Sequence, residues 1–123
     1  MWQYSQSTGS LLDATGKCVA TGYSGHGDGL NDGALQNVID VGPIPRGLWS
    51  IAPPRDTATH GPYVLPLTPH ADTETFGRDG FLIHGDEVEH VGEHLASHGC
   101  IILPHDAREA VWNSNDHTLK VVA

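Results

Sequence analysis

GFLIHGDEVEHVGEHLASHGCIILP, the stretch Gly80–Pro104, decides how the rest of the chain is interpreted. Two short apolar runs, Phe81–Ile83 and Ile101–Leu103, stand near its ends and are bounded by glycine and proline, a pattern typical of buried strands. His84 directly follows the first run and Cys100 directly precedes the second. In a sheet that contains both strands, the imidazole and the thiol would face each other.

A thiol and an imidazole in this arrangement favour nucleophilic catalysis. Free cysteine has a pKa of about 8.5, so only a few per cent is thiolate at neutral pH. A neighbouring imidazole can take the proton of Cys100, and the resulting ion pair favours the thiolate further. The N–H groups of Gly99 and Cys100 are candidate donors to an oxyanion. The alternative is a buried structural cysteine and an unrelated surface histidine, the commoner outcome for an isolated pair.

The two motifs of this stretch also carry a resemblance. Residues 83–85 (IHG) and 97–101 (SHGCI) resemble the signature of the L,D-transpeptidase (YkuD-type) catalytic domain, a histidine, a spacer and Ser/Thr-His-Gly-Cys. The whole chain is more closely similar to a short branch whose known members are type VI secretion effectors acting on peptidoglycan. The segments that carry this likeness are Thr21–Gly25, Val41–Gly47, Thr59–Tyr63, Phe81–Asp86 and Ala96–Pro104.

Two positions depart from the pattern of the broad family. The spacer between His84 and Ser97 has 12 residues, fewer than the housekeeping enzymes carry. The second position after the cysteine is usually Asn or Arg in those enzymes and is Ile102 here. A polar substrate contact that the broad family implies is therefore missing from this chain.

The resemblance implies a fold and a set of catalytic residues. It implies one catalytic domain over residues 1–123, mainly β, an L,D-transpeptidase-like sandwich or barrel with one short C-terminal helix. It makes Cys100 the nucleophile, His84 the general base and the carbonyl of Gly85 the group that orients the imidazole. The remaining candidates are the oxyanion and turn residues Ser97, His98 and Gly99 and the substrate-binding residues Tyr23, Ser24 and Arg46.

Those substrate-binding candidates have plainer alternatives. Tyr23 and Ser24 edge the cleft by resemblance alone, and the glycine-rich segment 24–33 also fits an ordinary surface loop. Arg46 can bind a carboxylate with two parallel hydrogen bonds, but a solvated arginine or a structural salt bridge is the commoner role of such a residue.

The resemblance further implies a substrate and partners. The substrate is the peptidoglycan tetrapeptide stem, cleaved at the L,D bond before its terminal D-alanine. A thioester on Cys100 would pass to water in L,D-carboxypeptidase activity, or to an amine in D-amino-acid exchange and cross-linking. For an effector, we expect trimming and exchange, a secretion apparatus, and an immunity protein that occludes the cleft.

A histidine cluster supports a competing hypothesis of a zinc hydrolase. His90, His94 and His98 are spaced i, i+4, i+8 and would align on one face of a helix, where Glu93 or Cys100 could complete a zinc site. A glycine interrupts the segment and no HExxH motif is present. We therefore predict no metal and no cofactor.

The presence of both His84 and Cys100, and their order in the chain, disfavour two further classes of protein. A non-catalytic cell-wall-binding module of the same fold would not need both His84 and Cys100. Papain-like peptidases place the cysteine before the histidine in the chain, whereas the order here is reversed.

Composition narrows the class of partner. The chain has 123 residues with 15 Gly and 8 Pro, which predicts short strands joined by turns in one domain. Its formal net charge is −9, so nucleic acid is not an expected partner, whereas a basic protein would be attracted. No run of 18 apolar residues exists and the N-terminus lacks a secretory signal. We expect synthesis in the cytoplasm, no membrane insertion, and export by other machinery to the target-cell periplasm.

The remaining secondary structure follows from local patterns. An opening antiparallel meander, later strands and a short amphipathic helix are predicted. The expected strands are Met1–Ser5, Leu11–Asp13, Lys17–Tyr23, Leu48–Ile51, Tyr63–Leu67 and Leu119–Val122, with Pro53–Pro62 a loop. Asp106 and Glu109 resemble a cap signal for the helix. Cys18 is expected to be a small buried residue on its strand.

Overall fold

The computed structural model describes residues 1–86, 93 and 95–123, in which ten strands and one α-helix are found. The strands are β1 (Trp2–Ser5), β2 (Ser10–Leu12), β3 (Cys18–Thr21), β4 (Tyr23–Ser24), β5 (Gly47–Ile51), β6 (Arg55–Thr57), β7 (Gly61–Pro69), β8 (Leu82–His84), β9 (Ile101–Ile102) and β10 (Thr118–Val122). The helix is α1 (His105–Asn113). The expectation of a mainly β protein with one short helix near the C-terminus is confirmed.

The strands form one open mixed sheet in the order β3-β2-β1-β10-β5-β7-β8-β9-β4, and β6 pairs with β7. The β1–β10 and β8–β9 pairs are parallel, and the other pairs are antiparallel. Strands β3 and β4 stand at opposite ends of this order, yet only Gly22 separates them in the chain. The sheet must therefore curl until its two ends approach each other.

Gly22 is the residue that this curl requires. A Cβ added to Gly22 would lie 1.8 Å from the carbonyl oxygen of Ile102, so a side chain at this position would clash with the backbone of β9. Its N–H donates to the carbonyl of Gly9 at 2.8 Å, which ties the crossing point to the turn before β2. Among the described residues no ladder of hydrogen bonds joins β3 to β4, so the sheet remains open.

The apolar core lies on the concave side where the strands and α1 meet. The alternation of side chains along β1 buries Trp2 and Tyr4. Trp49 of β5 packs edge-on against Phe81, with ring centroids 5.1 Å apart. The helix contributes Ala107 and Val111 to the same cluster. This core holds β8 and β9, the strands that carry the motif, against the helix.

Two local expectations of secondary structure are wrong. The loop predicted over Pro53–Pro62 contains β6 and the start of β7, because the strand pairing of β6 with β7 outweighs the turn-forming prolines. The N-cap of α1 is Pro104, without a side-chain cap bond. Glu109 instead pairs with His105, with 2.8 Å between Oε1 and Nδ1, so the expected Asp106–Glu109 cap does not form.

Cys18 is exposed rather than buried, because it begins the edge strand β3, whose side chains face mainly solvent. Both cysteines are free, so no disulfide ties Cys18 to Cys100. In the described part of the chain, no helix has the length and apolar character needed to cross a membrane.

Candidate active site

The pairing of β8 with β9 brings the two motif residues together. The parallel register places Ile83 opposite Ile101 and His84 opposite Ile102. Extending it by one pair sets Cys100 opposite Leu82, two residues before His84 on the same face of the sheet. A bond between the thiol and the Leu82 backbone agrees with that placement. This register sets the backbone positions of His84 and Cys100 diagonally across adjacent strands, and the encounter of their side chains stays a prediction.

The ring of His84 is buried and oriented by the backbone. Only 3% of the residue is exposed, and Nδ1 lies 2.8 Å from the carbonyl oxygen of Gly85. A carbonyl can only accept, so Nδ1 carries the proton and Nε2 of the neutral ring has a free lone pair. The ring of His60, from the turn between β6 and β7, covers it with a centroid distance of 4.6 Å.

A cation also lies beside His84. The guanidinium of Arg108 packs against Gly85, where an added Cβ would lie 2.9 Å from Nη1. The pKa of His84 is lowered to about 4, chiefly by burial; the Gly85 bond and the charge of Asp86 oppose this shift, and the charges of His60 and Arg108 add to it. The imidazole is therefore neutral at pH 7 and able to accept a proton.

The thiol of Cys100 lies at the start of β9. Its Sγ is 3.7 Å from the carbonyl oxygen of Gly80. Burial raises the pKa of the Cys100 thiol, while the bond to the Leu82 backbone and the positive charge of Arg78 lower it. Burial thus favours the neutral form of each partner. The resting pair is a thiol and a neutral imidazole, and not the ion pair that the sequence analysis expected.

Ser97 organises the turn that presents the thiol. It is fully buried, and its Oγ donates to the carbonyl of Cys100 at 2.6 Å. The same oxygen accepts hydrogen bonds from the N–H groups of Gly25, at 2.9 Å, and Gly99, at 3.1 Å. The turn-shaping role predicted for Ser97 and Gly99 agrees with this geometry. The predicted use of the Gly99 N–H as an oxyanion donor does not, because that N–H is already bonded.

Gly99 meets two constraints that exclude a side chain. Its φ is +133°, a backbone conformation that favours glycine. An added Cβ would lie 2.5 Å from Nη2 of Arg78, so the guanidinium occupies the space of a side chain. The glycine before Cys100 therefore leaves room for a buried cation in the turn.

The predicted cleft residues Tyr23 and Ser24 are buried and brace the same turn. The Ser24 hydroxyl donates to the Gly99 carbonyl and accepts from the Ile44 N–H, both at 2.9 Å. The Tyr23 hydroxyl donates to Asp86 at 2.6 Å and accepts from the Ala96 N–H at 3.1 Å. Ser24 has no exposed surface, so it cannot touch a substrate in this conformation.

Arg46 and His98 lie on the outside of the molecule. The Arg46 side chain is exposed, and its Nε is 3.5 Å from Oε1 of Gln36. The His98 ring stacks on His26, with centroids 5.0 Å apart, and its Nδ1 lies 3.3 Å from the Asp40 carbonyl oxygen. These contacts hold His98 against the loop that precedes β5.

Sequence analysis missed three residues around the pair: Arg78, Arg108 and His60. Arg108 lies three positions before the buried Val111, so helical periodicity could have placed it on the inner face of α1. Arg78 and His60 come from irregular segments, where no periodic signal exists. Only the tertiary contacts reveal them.

The zinc hypothesis finds no support in the described residues, which contain no group of three His, Cys, Asp or Glu side chains placed to hold a metal ion. His90 and His94, on which the hypothesis depends, lie outside the described residues. His98 is the member of the trio that is described, and its ring contacts are those with His26 and Asp40.

Comparison with known proteins yields one match. A family model described as the Tlde1 domain matches residues 19–123, from within β3 to the last residue. The matched region includes His84, Cys100 and both buried arginines. No curated protein and no solved structure matches the chain.

Proposed function

The chain belongs to the Tlde1 domain family, a family of type VI secretion effectors that act on peptidoglycan as modifying enzymes, and on this premise we propose that it is a cysteine-dependent L,D-transpeptidase and L,D-carboxypeptidase. Its substrate is the tetrapeptide stem, attacked at the L,D bond before the terminal D-alanine. Cys100 is the nucleophile and His84 the general base. Gly85 orients the base through its carbonyl.

One observation carries this proposal. The bond from His84 Nδ1 to the Gly85 carbonyl leaves Nε2 free to accept a proton, on the strand next to β9, which Cys100 directly precedes. A nucleophile, a base and a group that orients the base are the three parts that covalent catalysis by a thiol needs. Here a carbonyl takes the place of the usual acidic third member, so a protonated imidazole is stabilised less than in a carboxylate triad.

The first half of the reaction is acylation. As the Cys100 sulfur attacks the carbonyl carbon of the scissile bond, its proton passes to His84 Nε2. The Cys100 N–H supports the oxyanion, and the Gly99 N–H can join it only if its bond to Ser97 opens. The tetrahedral intermediate then collapses, and the imidazolium gives its proton to the departing nitrogen of D-alanine.

The second half resolves the thioester. Water, activated by the neutral His84, releases the shortened stem and restores the thiol, which is L,D-carboxypeptidase activity. The amino group of a D-amino acid or of a neighbouring stem gives exchange or cross-linking by the same steps. Trimming and exchange remove the stems that normal cross-linking uses, which is the effect expected of an antibacterial effector.

The neutral resting pair fits an enzyme that keeps its thiol unreactive until substrate binds. Burial disfavours both the thiolate and the imidazolium. Proton transfer therefore accompanies attack and does not precede it. A thiol of this kind reacts slowly with ordinary electrophiles and is protected from adventitious oxidation.

Substrate recognition is proposed to be local, because a net charge of −9 gives no general attraction to an anionic cell wall. Arg46 remains the candidate for binding a stem carboxylate, since its side chain is exposed. Tyr23 and Ser24 are proposed to support the cleft from behind. The same acidic surface suits an immunity protein with a basic face, and the secretion apparatus is the proposed route to the target-cell periplasm.

The test is mass spectrometry of purified sacculi after incubation with the protein. We expect the wild type to shorten tetrapeptide stems, and Cys18→Ala, which alters the exposed cysteine, to do the same. Cys100→Ala should leave the stems intact. Unaltered stems with the folded wild type would reject the substrate, and full activity of Cys100→Ala would reject the nucleophile.

A further inference from the structure

Arg78 is a buried cation with an unusual set of partners. Only 7% of the residue is exposed, and its guanidinium donates to the four carbonyls of Gln36, Gly42, Pro43 and His98 at 2.5 to 3.3 Å. Among the described residues, no carboxylate pairs with it within 4.0 Å. A guanidinium stays protonated even when burial disfavours it, so a full positive charge remains at this position.

The charge lies against the turn that carries the nucleophile. Nη2 bonds the His98 carbonyl, two residues before Cys100, and occupies the space beside Gly99 that a side chain would fill. The guanidinium carbon also lies 5.1 Å from the centroid of the Phe81 ring, which fixes its position from the other side. The cation is therefore placed beside the thiol by contacts on three segments.

We propose that Arg78 is a positioning residue that stabilises the Cys100 thiolate as it forms and holds the turn at residues 97–100 in register with β8. The inference rests on the proposed role of Cys100 as nucleophile. His84 takes the proton, whereas Arg78 supplies the positive charge that the growing negative charge on sulfur requires. No second acid or base is needed for this step.

Neutral carbonyl partners explain why the charge is effective. A carboxylate paired with Arg78 would cancel most of its field at the sulfur, whereas four carbonyl dipoles solvate the guanidinium without adding an opposite charge. The charge of Asp40, on the loop before β5, also acts on Arg78, but its carboxylate forms no ion pair with the guanidinium. Further titratable groups near the turn in the described part of the chain are His84 on β8, His26 on the loop before β5, and His98 in the turn itself.

Arg108 provides a matched comparison. It is also buried, 4% exposed, and its guanidinium bonds the carbonyls of Leu103, Tyr63 and Pro62 at 2.6 to 3.3 Å. Its charge acts on His84, whereas the charge of Arg78 acts on the Cys100 thiol. Removing either arginine disrupts a similar number of buried bonds, but only Arg78 is expected to change the acidity of Cys100.

The experiment measures how fast iodoacetamide alkylates Cys100 as a function of pH, in a Cys18→Ser background that removes the exposed thiol. Arg78→Gln, Arg78→Lys and Arg108→Gln are compared, with folding checked by circular dichroism. We expect Arg78→Gln to raise the apparent pKa of the thiol and to slow alkylation at pH 7 about tenfold, since loss of a nearby opposite charge shifts a pKa by about one unit or more. Arg78→Lys and Arg108→Gln should keep the parent profile.

Three results would overturn the proposal. These are an unchanged profile in folded Arg78→Gln, an equal slowing in Arg108→Gln, and a tenfold slowing in Arg78→Lys, which retains the charge. The Lys variant decides the question if the Gln variant does not fold. Alkylation needs no cell-wall substrate, so a failure here is distinct from unaltered stems in the sacculus experiment.

Discussion

The thiol side and the imidazole side of the site are built from similar parts. Each has a titratable group at a strand end and a buried arginine whose hydrogen bonds within the described residues go to backbone carbonyls: Cys100 with Arg78, and His84 with Arg108. The effects of the two cations differ because the titrating groups differ. A positive charge favours the thiolate on one side and disfavours the imidazolium on the other.

This difference explains the resting state of the site. Positive charge on both sides lowers both proton affinities, while burial penalises both charged forms. At rest the thiol keeps its proton and the imidazole stays neutral. The two sides are therefore not interchangeable, and substitutions on each should give different signatures.

The largest difference is expected between two histidines of the motif. His84→Ala removes the base and should lower the rate of D-alanine release from a tetrapeptide by about 10²–10⁴-fold. His98→Ala, whose ring packs on His26, should retain most of the activity if it folds. An inactive His98→Ala beside an active His84→Ala would reverse the assigned roles.

The imidazole side should also dominate the loss of stability in acid. The unfolded chain protonates His84 below about pH 6.5, whereas the native protein does so only near its pKa of about 4. The unfolded state binds more protons between these values, so stability falls as the pH drops through this window. The contribution is about 3 kcal/mol.

The measurement is urea unfolding of the wild type and His84→Phe at pH 7, 5.5 and 4. The loss of unfolding free energy over this range should be smaller in the variant, which has no imidazole to protonate at this position. Parallel curves for the two proteins would show that His84 is not buried in its neutral form.

On the thiol side, Ser24 should matter for stability. Ser24→Ala leaves the Gly99 carbonyl and the Ile44 N–H without their buried partner, at a cost of about 2 kcal/mol in urea unfolding. Arg46→Ala, at an exposed position, should change stability by less than about 0.5 kcal/mol and raise KM if it binds a stem carboxylate. If Ser24→Ala raised KM without lowering the free energy of unfolding, Ser24 would have to contact the substrate.

The smallest effect is expected from Arg108. Arg108→Gln removes a positive charge near His84, so the pKa of the imidazole should rise. The acid limb of kcat/KM for tetrapeptide hydrolysis should then move to higher pH by less than about one unit. If Arg108→Gln shifted the pH profile of Cys100 alkylation and left the acid limb of kcat/KM unchanged, the charge of Arg108 would act on the thiol and not on the imidazole.

Much of the site could be predicted because it is local in the chain. The placement of His84 and Cys100 at the ends of adjoining strands follows from two apolar runs that must pack side by side, and the opening meander follows from alternation along β1 and β2. The buried arginines could not be predicted, since their partners are carbonyls up to 46 residues away. The exposure of Cys18 depends on β3 being an edge strand, which only the strand order reveals.

The amino-acid sequence by itself determined that this protein is mainly β and that a histidine and a cysteine stand at the ends of adjoining strands. These features depend on side-chain type and spacing, which are written along the chain. Tertiary structure alone decided that the pair rests uncharged, that the Gly99 N–H is occupied, and that Arg78 lies beside the turn. Burial and distant carbonyls set proton affinity, and neither is visible until the chain is folded.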